Sequence, residues 1–252
     1  MAVTRKPFQG VLNIIRFNLH MYIGTMIIFI LLVAIKSSLP FYLGILTSVL
    51  LIFSFITLII TLITSYYIYD FSNLYDFKWF PDTDKHLNIV NIHAGFDETS
   101  NIIIEKYKNS NIQIFDFYDP EKHTELSIQI ARKKYPVHPL TQKIQTNNIP
   151  LVNSSTDLVF IIFAAHEIRN THERVLFMKE VKRLTKPEGQ VFILEHLRDV
   201  NNFFVYNIGF FHFLSLNTWF RTFHDAGLIV SSIQKINPFI TLFNIKNDGT
   251  KT

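Results

Sequence analysis

The chain has no cysteine among its 252 residues. Disulfide staples are therefore excluded, as is any zinc or iron–sulfur site built on thiolates. Charge is scarce as well: Lys, Arg, Asp and Glu make up 17% of the sequence, against ~25% in an average soluble domain. The 24 basic and 20 acidic residues leave a formal net charge of +4, too small to argue for a nucleic-acid-binding face. Apolar residues fill the gap at 48%, which excludes an intrinsically disordered chain.

The apolar excess is concentrated near the N-terminus. Phe17 to Ile35 is free of Lys, Arg, Asp and Glu, and Ser37 to Tyr69 holds 33 residues without a charge. A bilayer core of about 30 Å needs roughly 20 apolar residues in a helix, so each run is long enough to span it. Lys36, Ser37, Ser38 and Pro40 interrupt the runs, and a short polar break with a proline reads as a tight turn. The pattern predicts a two-helix transmembrane hairpin over 17–69, preceded by a basic N-terminal segment (1–16) and followed by a juxtamembrane linker (70–85). No small-residue cleavage site follows the first run, which argues against a signal peptide. Arg5, Lys6 and Arg16 precede the first span, whereas the turn offers only Lys36. Positive-inside logic places both termini, and everything after residue 70, on the cytoplasmic side of an inner membrane. Tyr66, Tyr67, Tyr69, Tyr75 and Trp79 are expected at the headgroup level.

Residues 86–252 form a separate domain, in which short apolar runs alternate with mixed helical stretches as in βαβ units. Strands are expected near 87–93, 112–117, 143–146, 157–163, 190–195, 228–236 and 239–246. Helices are expected over 98–108, 122–134, 171–185 and 216–226. Asn237-Pro238 is short enough to join the last two strands as a hairpin, giving an antiparallel edge. Residues 197–215 are aromatic-rich and irregular: a lid, a membrane-contacting face or core. Open α/β sheets bind ligands at the carboxyl ends of their strands. Polar and titratable groups collect there: His93 to Glu98, Asp116, His166-Glu167 and Glu195-His196.

This pattern resembles the class I S-adenosylmethionine-dependent methyltransferases over about residues 86–246. The most specific stretch is Leu184-Thr185-Lys186-Pro187-Glu188-Gly189-Gln190-Val191, similar to the family's Lys-Pro-Gly-Gly-type turn and fifth strand. Pro187 and Gly189 are expected to stop the preceding helix. Asn148-Ile149-Pro150-Leu151, followed by Asp157-Leu158-Val159, is similar to the family's Leu-Pro-Phe segment and fourth-strand opening. The resemblance implies a Rossmann-like seven-stranded sheet with an antiparallel edge strand, S-adenosyl-L-methionine as cofactor, and methyltransferase activity. The cofactor loop departs from the family, since Gly95 is the one glycine left after strand one.

By the resemblance, His93, Gly95, Asp97, Glu98, Asp116, Gln145 and Thr146 are the expected cofactor-binding residues. Asp116 lies 21 residues beyond Gly95, a spacing suited to a carboxylate that accepts ribose hydroxyls. Thr99 or Ser100 is a candidate helix cap. His166 and His196 are candidate bases, with Glu167 and Glu195 orienting them or an acceptor. Those acids and His212 also permit a metal reading, but no His-Glu-x-x-His spacing supports it and no metal is expected. Tethering to a bilayer suits a lipophilic small-molecule acceptor, whose effective concentration the anchor raises. A degenerate fold acting as a non-catalytic membrane scaffold is the alternative. A short-chain reductase is disfavoured by the missing Gly-x-Gly-x-x-Gly loop and by the placement of the single Tyr-x-x-x-Lys pair, Tyr118 and Lys122, after strand two. Nothing in the pattern specifies the acceptor atom or the oligomeric state.

Overall fold

The computed structural model describes residues 5–123 and 125–247, the residues of which everything below is said. The N-terminal helices are α1 (Gln9–Phe17), α2 (Leu19–Ile35) and α3 (Phe41–Tyr66). No residue of α2 is buried, and only Leu51 and Ser65 are buried on α3. Both stretches are long and apolar enough to cross a membrane. A 3-10 turn, Lys36–Ser38, breaks them where the sequence placed its polar interruption, and Pro40 leads into α3.

The α/β domain follows in the order β1 (Asn88–His93), α4 (Ser100–Lys106), β2 (Asn111–Asp116), α5 (Leu126–Lys134), β3 (Thr141–Lys143), β4 (Thr156–Ile162), α6 (Thr171–Leu184), β5 (Thr185–His196), α7 (Val200–Tyr206), α8 (Leu216–Asp225), β6 (Leu228–Asn237) and β7 (Ile240–Asn247). The seven strands lie in the order β3-β2-β1-β4-β5-β7-β6. Strands β1 to β5 are parallel where they pair, and β7 runs antiparallel between β5 and β6. Order reverses at β1 and β4, which makes their carboxyl ends the place where a crevice opens.

Alternation along the strands supplies both faces. Val90, Ile92, Val159, Ile161, Val191 and Ile193 face one side, where Phe177 of α6 and Trp219 of α8 cover them. Ile89, Leu158, Phe160, Phe192 and Leu194 face the other, covered by Ile103 of α4 and by a segment reaching back towards α3. That segment replaces the linker expected over 70–85. After α3 the chain makes a π turn (Tyr67–Phe71) and a 3-10 turn (Leu74–Asp76), and it buries Ile68, Leu74, Phe77 and Phe80. Phe80 packs on Phe160 and Phe192 at ring-centroid distances of 4.3 and 5.2 Å. Tyr69, Tyr75 and Trp79 pack against this cluster, while Tyr66 and Tyr67 are exposed.

Two local expectations are corrected. Helix α6 ends at Leu184, before Pro187 and Gly189, because Thr185 turns extended and donates both its N–H and its hydroxyl to the last-turn carbonyls. Pro187 and Gly189 lie inside β5, where the pairing with β4 shifts between Thr156 and Leu158. The region 197–215 holds α7 and a 3-10 turn (Asn207–His212).

If the Phe80–Phe160–Phe192 cluster carries the second face, Phe160→Ala will destabilise the domain by about 3–5 kcal/mol. Urea denaturation followed by tryptophan fluorescence checks this. A loss below about 1 kcal/mol would mean that the segment covers the sheet without supporting it.

Candidate active site

A cavity of about 230 Å³ opens where the sheet order reverses. Ala94 and Phe96, just past β1, form one wall; Phe163 and His166, just past β4, form the opposite wall; and His196 ends β5. Phe163 adopts a left-handed backbone (φ 50°), a conformation that costs a non-glycine residue free energy and recurs at functional sites. Its ring stacks on His196 at 5.2 Å.

The roof is α1. Its first N–H groups, from Gly10 and Val11, donate to the two carboxylate oxygens of Asp70 at 2.8 and 2.9 Å, so Asp70 caps the helix from the far end of α3. A Cβ on Gly10 would lie 2.3 Å from the Tyr69 Cβ, so only glycine fits that approach. Asn13 and Phe17 face the cavity. Asn13 donates to Glu98 (3.2 Å) and accepts from the Tyr135 hydroxyl (2.6 Å), and Phe17 meets Phe96 edge to face.

A histidine–carboxylate cluster lies at the β4–β5 end of the cavity. Glu195 is fully buried; it accepts the backbone N–H of His166 (3.2 Å) and contacts His166 Nδ1 at 2.6 Å. His166 Nε2 lies 3.4 Å from Glu167, and His212 Nε2 lies 3.3 Å from the same oxygen. His212 Nδ1 meets Glu125 at 2.7 Å. Burial opposes the charged form of His166, but Glu195 and hydrogen bonds to Glu167 and Glu195 overcome it and push the imidazole up to about 10. Burial likewise works against ionised Glu167, and its bonds to His166 and His212 outweigh that, holding it well below the usual carboxylate range. The turn carrying His166 and Glu167 is pinned from behind by Arg174, a buried guanidinium that donates to the Ile168 carbonyl (2.8 Å) and to Thr222 of α8 (3.1 Å).

His196 belongs to a different network. Its Nδ1–H donates to the Phe239 carbonyl (3.1 Å) and its Nε2 accepts from the Tyr69 hydroxyl (2.7 Å). Burial and the neighbouring His166 charge hold it down to about 3, a neutral imidazole at physiological pH.

The residues expected at the cofactor are spread over three environments. His93, Gly95 and Asp116 come together at the ends of β1 and β2. His93 Nδ1 accepts the Gly95 N–H (3.1 Å), and its buried Nε2 has no partner. Burial lowers this imidazole below its ordinary value, against the pull of Asp97 and Asp116. Asp116 accepts the Tyr118 N–H (2.9 Å) and is paired with Arg132 at 2.7 Å. Asp97 caps α4, accepting the N–H groups of Thr99 (3.0 Å) and Ser100 (2.9 Å); neither Thr99 nor Ser100 provides the side-chain cap. Their hydroxyls instead accept from Asn91. Glu98 lines the cavity but is held by Arg5, Gln9, Asn13 and Tyr75, so it anchors the roof. Gln145 and Thr146, like His93, Gly95, Asp97 and Asp116, are not among the residues that line the cavity; Thr146 donates to Glu173 (2.6 Å) and Gln145 bridges to Asn148.

Arg132 decides how a nucleotide would enter. Gly95 has φ +94°, and a Cβ there would fall 2.2 Å from Arg132 Nη1, so the guanidinium fills the hollow over this glycine. Cofactor ribose and Arg132 would compete for Asp116. The Arg132 side chain is 18% exposed and also lies over the Tyr118 ring; only with it displaced would the carboxylate at the end of β2 and the bare backbone after β1 fit an adenosyl group. Arg132, Asn13, Phe17, Glu125 and Tyr69 were not singled out as site residues by sequence reasoning. They reach the site from α1, α5 and the end of α3, and no spacing rule connects those segments to strand ends.

Residues 123–193 match a family model described as a methyltransferase domain. That stretch runs from the approach to α5 into β5 and leaves out the glycine-poor loop after β1. No curated protein matches the sequence. Among solved structures, geranyl diphosphate C-methyltransferase from Streptomyces coelicolor A3(2) has 10% identity and a TM-score of 0.50, covering 70% of this chain and 79% of its own. The mitomycin 7-O-methyltransferase has 12% identity and a TM-score of 0.50, over 72% of this chain and 54% of its own. A methyltransferase from Aquifex aeolicus has 16% identity and a TM-score of 0.48, over 65% and 84%. The fold is that of the class I methyltransferases. The domain match and the fold indicate S-adenosylmethionine as the cofactor.

The His196 environment has a consequence for stability. The unfolded chain protonates this group near pH 6.5, whereas the folded protein resists until about pH 3. Its contribution is therefore intact above pH 6.5 and is lost as pH falls. The melting-temperature deficit of His196→Gln relative to the native protein will be largest at pH 7 and will shrink by pH 5. A deficit independent of pH would show that the fold leaves the titration of His196 where the unfolded chain has it.

Proposed function

We propose that this chain is a membrane-anchored methyltransferase that moves the methyl group of S-adenosylmethionine to a lipophilic small molecule held in the bilayer, with the catalytic domain on the cytoplasmic side. The observation that carries the reading is the position of the cavity. It lies at the strand ends where this fold binds ligands, and its roof, α1, runs directly into the apolar helix α2. Exposed Phe203, Phe204 and Phe211 around α7 add an apolar surface beside α3, where Thr61 donates to the Val205 carbonyl. An amphiphile leaving the bilayer would meet α1 and this surface before solvent, and tethering raises its concentration at the mouth.

Asp116 would hold the ribose and Gly95 would allow close backbone approach once Arg132 swings aside. The bound cofactor supplies a methyl group already activated on sulfur, so the protein's work is alignment and exclusion of water. Phe163 and Phe213 present apolar surface to an acceptor, Phe17 closes the roof, and the His166–Glu167 pair offers polar contacts at the acceptor's reacting end. The occupied hollow over Gly95 favours one other reading, a methyltransferase fold kept as a membrane scaffold.

Calorimetry with S-adenosylmethionine on the full chain in detergent separates the two. The account predicts binding that weakens in Asp116→Asn and tightens roughly tenfold in Arg132→Ala, a gain of about 1.4 kcal/mol. Absence of binding in both the native protein and Arg132→Ala would leave the scaffold reading. Radiolabelled methyl transfer into lipid extracts, present with native protein and absent with Asp116→Asn, tests the acceptor class; label confined to water-soluble products would remove the lipophilic acceptor.

A further inference from the structure

We propose that His166, Glu167 and His212 form a binding site for one divalent first-row transition ion, of the zinc or iron(II) type, at the acceptor end of the cavity. The inference is independent of methyl transfer and of any nucleotide. Their ligand atoms all lie within 4.8 Å of one another, and all three residues line the cavity.

Distances within the cluster point to an ion more than to hydrogen bonds. Both imidazoles direct Nε2 at a single oxygen of Glu167, from 3.4 and 3.3 Å. Charge-assisted N–H···O bonds are usually about 2.7–2.9 Å, so these contacts are loose. An ion about 2.1 Å from each ligand in tetrahedral geometry would separate the ligand atoms by about 3.4 Å, which is the distance of each Nε2 from the Glu167 oxygen here. The opposite ring nitrogens are tightly held: His166 Nδ1 by Glu195 at 2.6 Å and His212 Nδ1 by Glu125 at 2.7 Å. Metal-bound histidines characteristically carry such a carboxylate behind the ring, which fixes the tautomer and leaves Nε2 free to ligate. Arg169 completes the outer layer, donating to the His212 carbonyl (2.6 Å) and to Glu125 (3.3 Å) and touching His212 Nδ1.

Two nitrogens and one carboxylate suit zinc, iron(II), cobalt(II) or manganese(II) better than magnesium or calcium, which prefer all-oxygen shells. Ligation needs each Nε2 free of a proton, so protons and the ion would compete for the site. Three protein ligands leave at least one position open, and it faces the cavity, where water or the oxygen of a bound small molecule would fill it.

The test is titration of the full chain in detergent, stripped with chelator, using Co²⁺ as a spectroscopic probe. One equivalent should produce visible absorption of a low-symmetry cobalt site, and Zn²⁺ should quench it by displacement. His212→Ala changes a residue on a partly exposed turn and should abolish the signal while keeping the native circular dichroism. Glu125→Gln, behind the ring, should weaken Co²⁺ binding by about 10–100-fold. Adding S-adenosylmethionine is unnecessary for any of these readouts. Native protein without a cobalt signal, or His212→Ala binding cobalt as the native protein does, would overturn the site.

Discussion

Glu195 is a carboxyl group with no access to water, placed at the end of a central strand. Such a group is tolerable only when it is paired and fully hydrogen-bonded. It finds both partners in His166, one from the backbone and one from the ring, and this joins the end of β5 to the turn after β4. The geometry of the cavity wall past β4 follows from that requirement. His166 is fixed, Glu167 beside it is drawn into contact with His212, and His212 in turn needs Glu125 from the entrance of α5. Four segments remote in sequence are thus held at one end of the cavity by buried electrostatics, while Arg174 braces the turn from the other side.

The opposite end is governed by a second pair, Arg132 with Asp116. A fold that ordinarily leaves bare backbone after its first strand here leaves one glycine, and its hollow is filled by a guanidinium. The family match runs from residue 123 to residue 193, so it takes in Arg132 and the turn after β4 and leaves out the loop after β1. Helix α1 ties both halves to the apolar helices, since Glu98 at the cofactor loop and Asp70 at the end of α3 both hold it. The roof also packs on the end of α5, where Asn13 accepts from the Tyr135 hydroxyl and Phe17 meets Phe96 and Tyr135 edge to face.

Period-two apolar runs and turn residues made the sheet legible in the sequence, down to the antiparallel pair at its edge, because those signals are local. Helix α6 was legible for the same reason, but its end was assigned to Pro187 and Gly189 when Thr185 had already terminated it. The strand-end candidates His166, Glu167, Glu195 and His196 do line or support the cavity, since the rule that places ligands at carboxyl ends depends on topology alone. Gln145 and Thr146 were placed by analogy at the edge strand and lie outside it. The segment after α3 was read as a linker with its rings at the headgroup level; its burial depends on Phe160 and Phe192, 80 and 112 residues beyond Phe80 in the chain. Arg132 and Asn13 were invisible for the same physical reason: a side chain reaching across space leaves no pattern in its own neighbourhood.

The central claim is that one cavity, floored by the ends of β1 and β4 and roofed by α1, is where the ligand chemistry takes place. Hydrogen–deuterium exchange on the full chain in detergent, with and without S-adenosylhomocysteine, addresses that claim most directly. The account predicts slowed exchange confined to residues 93–99, 116–118 and 9–17. Unchanged exchange in all three segments at saturating ligand, or protection located elsewhere on the domain, would contradict it.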